Sequence, residues 1–179
     1  YLLSDSLSQG IFQFVSIMTT TGFSTTEFVS WPTFLPFFLI MMSFFGACAG
    51  STGGGIKIGR MLILFQQGVR EIYQLIHPNA LLPIKINNRK VPDRVADAVW
   101  AFIGVYLAIF YLMVLLLLAS GLDYVTAWSA TAASLNNLGP GLGAVANNYS
   151  QLGNFPKWVL CWGMLLGRLE IFTLLVLFT

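Results

Sequence analysis

Charge is scarce in this sequence. Asp, Glu, Lys and Arg make up 9% of its 179 residues, against about 25% in ordinary soluble domains, so the chain is placed in a bilayer rather than in water. Histidine occurs once, as His77 ahead of Pro78. One imidazole at a cytoplasmic helix end leaves a membrane serine without a base in reach, and no HExxH string occurs, which argues against an intramembrane protease. His77 itself reads as a helix C-terminal residue. Cysteine occurs twice, at Cys48 and Cys161, each alone in an apolar run. That spacing supports no metal site, and both are expected to be free thiols in a packed interior. The chain opens Tyr1-Leu2-Leu3-Ser4-Asp5, with neither a basic start nor an initiator Met. No signal peptide is read there, and a piece of a longer protein, its back half, is expected.

Long uncharged runs take the place of charge. None of residues 98–122 is charged, and Asp97 and Asp123 stand at the borders of this run. At 1.5 Å per residue it would extend about 37 Å, enough to cross a hydrocarbon core of about 30 Å with some tilt. The basic residues are concentrated: Lys57, Arg60, Arg70, Lys85, Arg89, Lys90 and Arg94 are seven of the nine in the chain. By the positive-inside rule this segment is cytoplasmic, and Asp123, one span away, is external. The bland reading of the basic segment is preferred to nucleic-acid or lipid head-group binding. It marks topology and offers a docking surface to a cytosolic partner.

Glycine and hydroxyl residues punctuate these runs. Thr19-Thr20-Thr21-Gly22-Phe23-Ser24-Thr25-Thr26 follows a short uncharged helix over residues 6–19. A helix that stops at a glycine turn within a membrane leaves backbone carbonyls unpaired. These are tolerated there only where they line a water-filled path or bind something. Rings of carbonyls that replace a water shell are how cation filters work, so the segment points to a monovalent-cation pore. Asn136-Asn137-Leu138-Gly139-Pro140-Gly141 is a second such break, after a Ser/Thr/Ala helix over residues 126–135. Asp5 lies 17 positions before Gly22, and Asp123 lies 16 before Gly139. Each half runs Asp, short helix, glycine turn, polar stretch, proline, long apolar helix, which suggests one unit used twice.

The fold expected is an all-α membrane protein built of membrane helix–pore loop–membrane helix repeats, one partial and one complete. Residues 1–94 form the partial repeat: pore helix 6–19, filter 20–24, a broken inner helix 33–77, and a cytoplasmic polar loop 78–94. Residues 95–179 form the complete one: outer helix 95–120, pore helix 126–135, filter 137–141, inner helix 156–179. In the competing topology residues 6–26 and 123–145 are ordinary spans. The hydroxyls and glycines there argue against it, and the two topologies put Thr179 on opposite sides.

The filter residues are then Thr20, Thr21, Gly22, Phe23 and Ser24 in the first turn, and Asn137, Leu138, Gly139, Pro140 and Gly141 in the second. Glycine suits a strand whose successive carbonyls all face one axis, because alternate residues visit positive φ. The stretch from Gly46 to Gly55 holds five glycines in ten residues, too many for an unaided helix. It is not a nucleotide P-loop, because Ile56-Lys57-Ile58 breaks the required spacing. A helix entering near Thr33 places Ala49 about 24 Å deep, below an outer filter. Arg168 lies about 18 Å into the last helix, where a charge is costly and faces a cavity. The depth difference of about 6 Å is within an arginine's reach. Arg168 is therefore expected to donate to carbonyls of the glycine loop, or else to pair with a carboxylate elsewhere in the longer protein.

At Thr20-Thr21-Gly22-Phe23-Ser24, at the string from Gly46 to Lys57 and at Asn136-Asn137-Leu138-Gly139-Pro140-Gly141, the sequence resembles the Trk/Ktr/HKT superfamily of potassium transporters. It is most similar to the C-terminal half of the TrkH-like pore subunits. The resemblance covers nearly the whole chain. It implies four repeats about a pseudo-fourfold axis, of which this chain supplies the third without its first helix and the entire fourth. It also implies potassium favoured over sodium, and an intramembrane gate formed by Gly50, Ser51, Thr52, Gly53, Gly54, Gly55 and Arg168. Close helix packing through small residues is the alternative use of that loop. By the same resemblance, a TrkA-like nucleotide-binding regulatory subunit docks on the cytoplasmic segment and the protein is a homodimer in the bacterial inner membrane. Potassium is the transported ion, and no cofactor or nucleic acid is expected. An ion-coupled symporter using protons or sodium is the alternative function. It would usually need protonatable or substrate-binding side chains in the membrane, and only Arg168 and Glu170 are there to serve.

Overall fold

The computed structural model describes residues 3–32, 34–46, 54–78, 83–86 and 89–169. Six α-helices carry these residues: α1 (Leu3–Met18), α2 (Phe34–Ser43), α3 (Ile58–Ile76), α4 (Asp93–Ala119), α5 (Tyr124–Leu135) and α6 (Asn154–Arg168). Among the described residues one helix, α4, is long and apolar enough to cross a membrane. At 1.5 Å per residue α5 reaches only about 18 Å, too short for that crossing.

The helices start earlier than the sequence suggests. Pro92, in extended conformation, is the N-cap of α4, so Asp93 and Arg94 belong to its first turn. Asp123 caps α5 by accepting a hydrogen bond from the Thr126 N–H at 3.1 Å, which draws Tyr124 and Val125 into the helix. Gly153 caps α6 and Pro156 falls inside its first turn, where the missing N–H costs nothing. The polar loop after α3 is not irregular throughout. Lys85–Ile86 (β1) pairs antiparallel with Arg89–Lys90 (β2), and Ile84 beside them is buried.

Helix α5 is the centre of the molecule. Residues 126, 127 and 129–135 are all buried. All of these but Leu135 are Ala, Ser or Thr, which let neighbouring backbones approach. Thr131 donates to the Ala127 carbonyl at 2.8 Å, one turn back. Helices α2, α4 and α6 pack around it. On the α2–α4 side an aromatic cluster fills the space: Phe37 stacks on Trp128 at 4.7 Å, and Phe44 meets Phe110 edge-on at 5.7 Å. On the α6 side two glycines take the contact. A Cβ on Gly167 would strike the Leu135 carbonyl, and one on Gly163 would lie 3.5 Å from Ser134 and against the flexible end of Met113 of α4. The spacing Gly163-x-x-x-Gly167 is a close-packing motif of membrane helices that the sequence reading passed over. Helix α3 packs along α4, with Arg60 over the Phe102 ring at 4.1 Å and Arg70 paired to Asp93 at 2.8 Å. Cys161 is a free thiol, but it is exposed on this chain's surface, not packed in its interior. Cys48 lies outside the described residues.

Candidate functional site

Helices α1 and α5 end in the same way. Thr20 N–H bonds to the Ile17 carbonyl (3.1 Å) and Thr21 N–H to Ser16 (2.9 Å). In α5 the corresponding bonds run from Asn137 to Ser134 (3.1 Å) and from Leu138 to Ala133 (2.8 Å). Every partner is displaced by 117 positions from its counterpart, as 20 is from 137 and 22 from 139. These paired bonds form a Schellman closure, whose left-handed position is normally glycine. Here Thr20 (φ 54°) and Asn137 (φ 53°) occupy it, and Gly22 (φ 77°) and Gly139 (φ 101°) repeat the left-handed conformation two residues on. Asparagine tolerates that region, whereas a β-branched threonine there is under strain.

The two turns lie against each other. A Cβ on Gly22 would collide with the Leu138 carbonyl and come within 3.4 Å of the Pro140 ring. Gly139 has open space around it, so its φ, not crowding, requires glycine. Between and outside the turns lies a cleft of about 550 Å³ whose lining includes Gly22, Thr26, Glu27, Gly139, Pro140 and Tyr149.

Each turn is strapped back to its own helix. Ser16 donates to the Phe23 carbonyl (2.6 Å), and the fully buried Gln13 amide donates to Ser24 Oγ and the Thr26 carbonyl, both at 3.0 Å. After the second turn, Leu142 N–H donates to Ser129 Oγ (2.9 Å) and Ala144 N–H to Thr126 Oγ1 (3.1 Å). Tyr149, from the segment that leads to α6, donates to the Gly139 carbonyl at 2.7 Å. Burial pushes the Tyr149 hydroxyl up to about 12. At the head of α5 the Thr126 hydroxyl and N–H hold the Asp123 carboxyl below its usual range.

Beneath the second turn, Asn136 is a buried junction. Its Oδ1 accepts from the Tyr106 hydroxyl of α4 at 2.7 Å, and its Nδ2 donates to Ser43 Oγ at the end of α2, also at 2.7 Å. A Cβ on Gly54 would strike the Asn136 carbonyl, and one on Gly55 would come within 2.9 Å of the Ser43 carbonyl. The next residue, Asn137, reaches α6. With its amide oriented to suit its neighbours, it donates to the Met164 carbonyl (3.3 Å) and accepts from the Arg168 N–H (3.2 Å). Asn136 and Asn137 thus hold the end of the glycine loop on one side and the Arg168 turn on the other.

Of the residues expected to form a gate, Gly54, Gly55 and Arg168 are described: Gly54 lies against the Asn136 carbonyl, Gly55 against that of Ser43, and the Arg168 N–H bonds to Asn137. Gly50, Ser51, Thr52 and Gly53 lie outside the described residues, as does Glu170. The turns and Asn136 are legible in the sequence; the other side chains that support them, Gln13, Ser16, Ser43, Tyr106, Ser129 and Tyr149, were not singled out. For Gln13 and Ser16 the signal was a polar residue on an otherwise apolar helix. Tyr106, inside a long apolar span, gave no signal of its partner.

The profile of a family described as TrkH, cation transport protein, matches residues 2–179. This chain belongs to the TrkH family of cation transport proteins. It is a membrane protein. Among its relatives, the Trk system potassium uptake protein TrkH of Vibrio parahaemolyticus (serotype O3:K6) is 53% identical over 98% of this chain and 36% of that protein. The Escherichia coli (strain K12) TrkH is 50% identical over 97% of the chain and 36% of the relative. The TrkG of the same organism is 42% identical over 100% and 37%. The crystal structure of the potassium transporter TrkH from V. parahaemolyticus superposes with a TM-score of 0.92 at 52% identity, covering 100% of this chain and 38% of that one. The chain therefore spans little more than a third of the length of these relatives.

Proposed function

We propose that this chain forms part of a channel-like path for potassium uptake across the bacterial inner membrane. The backbone carbonyls of residues 20–23 and 137–140 serve as the filter. The glycine loop and Arg168 form a gate on the cytoplasmic side of it. One observation carries the reading: two short helices end in the same left-handed closure at matched register, and their turns lie against each other and line one cleft. Positive φ at alternate residues is what a strand of inward-facing carbonyls requires. Both helices present their C-terminal, negative ends to the turns, a field that favours a cation. Two turns do not enclose an axis, so the remaining oxygens come from further repeats of the same kind.

The gate reading rests on the Asn136–Asn137 junction, which ties both gate elements to the filter turn. Regulation by a TrkA-like nucleotide-binding subunit and assembly as a homodimer belong to the same reading. The exposed Lys85, Lys90 and Arg94 after α3 offer the docking charge.

The test is ion flux in liposomes by the full-length protein, with Gly22→Ser or Gly139→Ser. Loss of potassium flux, or of preference for potassium over sodium, is expected from either. Unaltered flux and selectivity in both variants would overturn the proposal.

A further inference from the structure

The two turns are held at different carbonyls. In the first, Ser16 from within α1 takes the carbonyl of Phe23, one residue past the glycine. In the second, the hydroxyl comes from outside, from Tyr149, and takes the carbonyl of Gly139 itself. The peptide that follows Gly139 is bonded to Pro140 and has no N–H, so nothing anchors it from the donor side. Gly139 has no side chain, a φ of 101° and open space where a Cβ would stand. Proline fixes φ on its own side of this peptide, so the carbonyl direction turns on the backbone of Gly139 alone, where no side chain restrains it, and the Tyr149 hydroxyl is the partner that holds it. Tyr149 is well placed to do so. Its ring packs against the apolar core, its own carbonyl accepts from Leu152 N–H at 3.3 Å, and its hydroxyl stays protonated throughout the physiological range.

We propose that Tyr149 is a positioning and selectivity-determining residue, its hydroxyl setting the plane and field of the Gly139 carbonyl in the ion path. A carbonyl oxygen has two acceptor directions. With one taken by the phenol, the other remains for an ion, at reduced negative charge and fixed angle. A weaker oxygen that cannot swing inward grips a small, strongly hydrated sodium ion poorly and costs the larger potassium ion little. Tyr149 therefore favours potassium without touching it.

This inference rests on the reading of the two turns as a filter, and the test separates the two. Reversal potentials in mixed potassium and sodium are measured for the full-length protein in liposomes, as wild type, Tyr149→Phe and Tyr149→3-fluorotyrosine. Removal of one neutral hydrogen bond in Tyr149→Phe lowers the potassium-to-sodium permeability ratio by about twofold to tenfold. The fluorinated tyrosine keeps the ring and sharpens the donor, and holds or raises the ratio, which a role in packing alone would not produce. A ratio unchanged in Tyr149→Phe, with Gly139→Ser altering flux or selectivity, overturns the assignment to Tyr149 and leaves the filter intact. Insensitivity of both Gly22→Ser and Gly139→Ser removes the filter reading and this inference with it.

Discussion

Gly22 and Gly139 look alike in sequence and share a left-handed backbone, yet they need glycine for different reasons. At Gly22 a methyl group would run into the Leu138 carbonyl; at Gly139 it would meet nothing. Gly22→Ala is therefore expected to displace the second turn as well as the first. Gly139→Ala meets only the backbone penalty, on the order of 1–2 kcal/mol. Thermal unfolding of the two variants in detergent checks the order, Gly22→Ala being the less stable. Asn136 supports a second prediction. Replacement by Leu leaves the Tyr106 hydroxyl without an acceptor and Ser43 Oγ without its donor, at about 1–3 kcal/mol for each stranded group. Tyr106→Phe strands a single group, Asn136 Oδ1, while Nδ2 keeps its bond to Ser43 Oγ. Asn136→Leu is thus expected to lower the melting temperature clearly more than Tyr106→Phe, in the same assay.

Among the elements, α5 shows how a short helix is kept at the centre of an apolar protein. Its N-terminus is closed by Asp123, Thr131 bonds one turn back, and Ser129 and Thr126 bond the segment after the second turn. Asp123→Ala is expected to cost about 1 kcal/mol, the usual worth of such a cap. Because the folded carboxyl titrates below its ordinary value, this contribution is complete at neutral pH and fades as pH falls through the folded pKa. The difference in stability between wild type and variant should shrink only under acid conditions, which a pH series of melting curves would show. The helices and the breaks after α1 and α5 were legible in the sequence, because charge, proline and glycine mark them. The β1–β2 hairpin was not. Its strands are two residues each, shorter than any pattern that alternation can reveal.

For the whole molecule the prediction concerns sidedness. On the proposed reading the chain passes from the basic α3–α4 side through α4, dips back at the second turn and returns through the last helix. Cysteine placed at Lys90 and a tag fused after Thr179 should both be cytoplasmic, and cysteine at Asn148 external. Labelling with a membrane-impermeant thiol reagent and protease access to the tag decide this. A tag on the external face would mean that the second turn lies within an ordinary span. The exposed Phe, Leu and Ile side chains along α2, α3 and α4 suit contact with lipid or with the rest of a longer fold.

The residues alone determined that this chain lives in a membrane, where its helices break, and to which family it belongs. These properties reside in composition and in short contiguous strings, and a bilayer punishes any departure from them steeply. Only the tertiary structure decided which side chains hold the breaks in shape. Asn136 joins Tyr106 to Ser43 across 30 and 93 positions, and Tyr149 reaches Gly139 from a separate segment. Such bonds follow from how the helices pack, and an isolated tyrosine or asparagine carries no mark of the partner it will find.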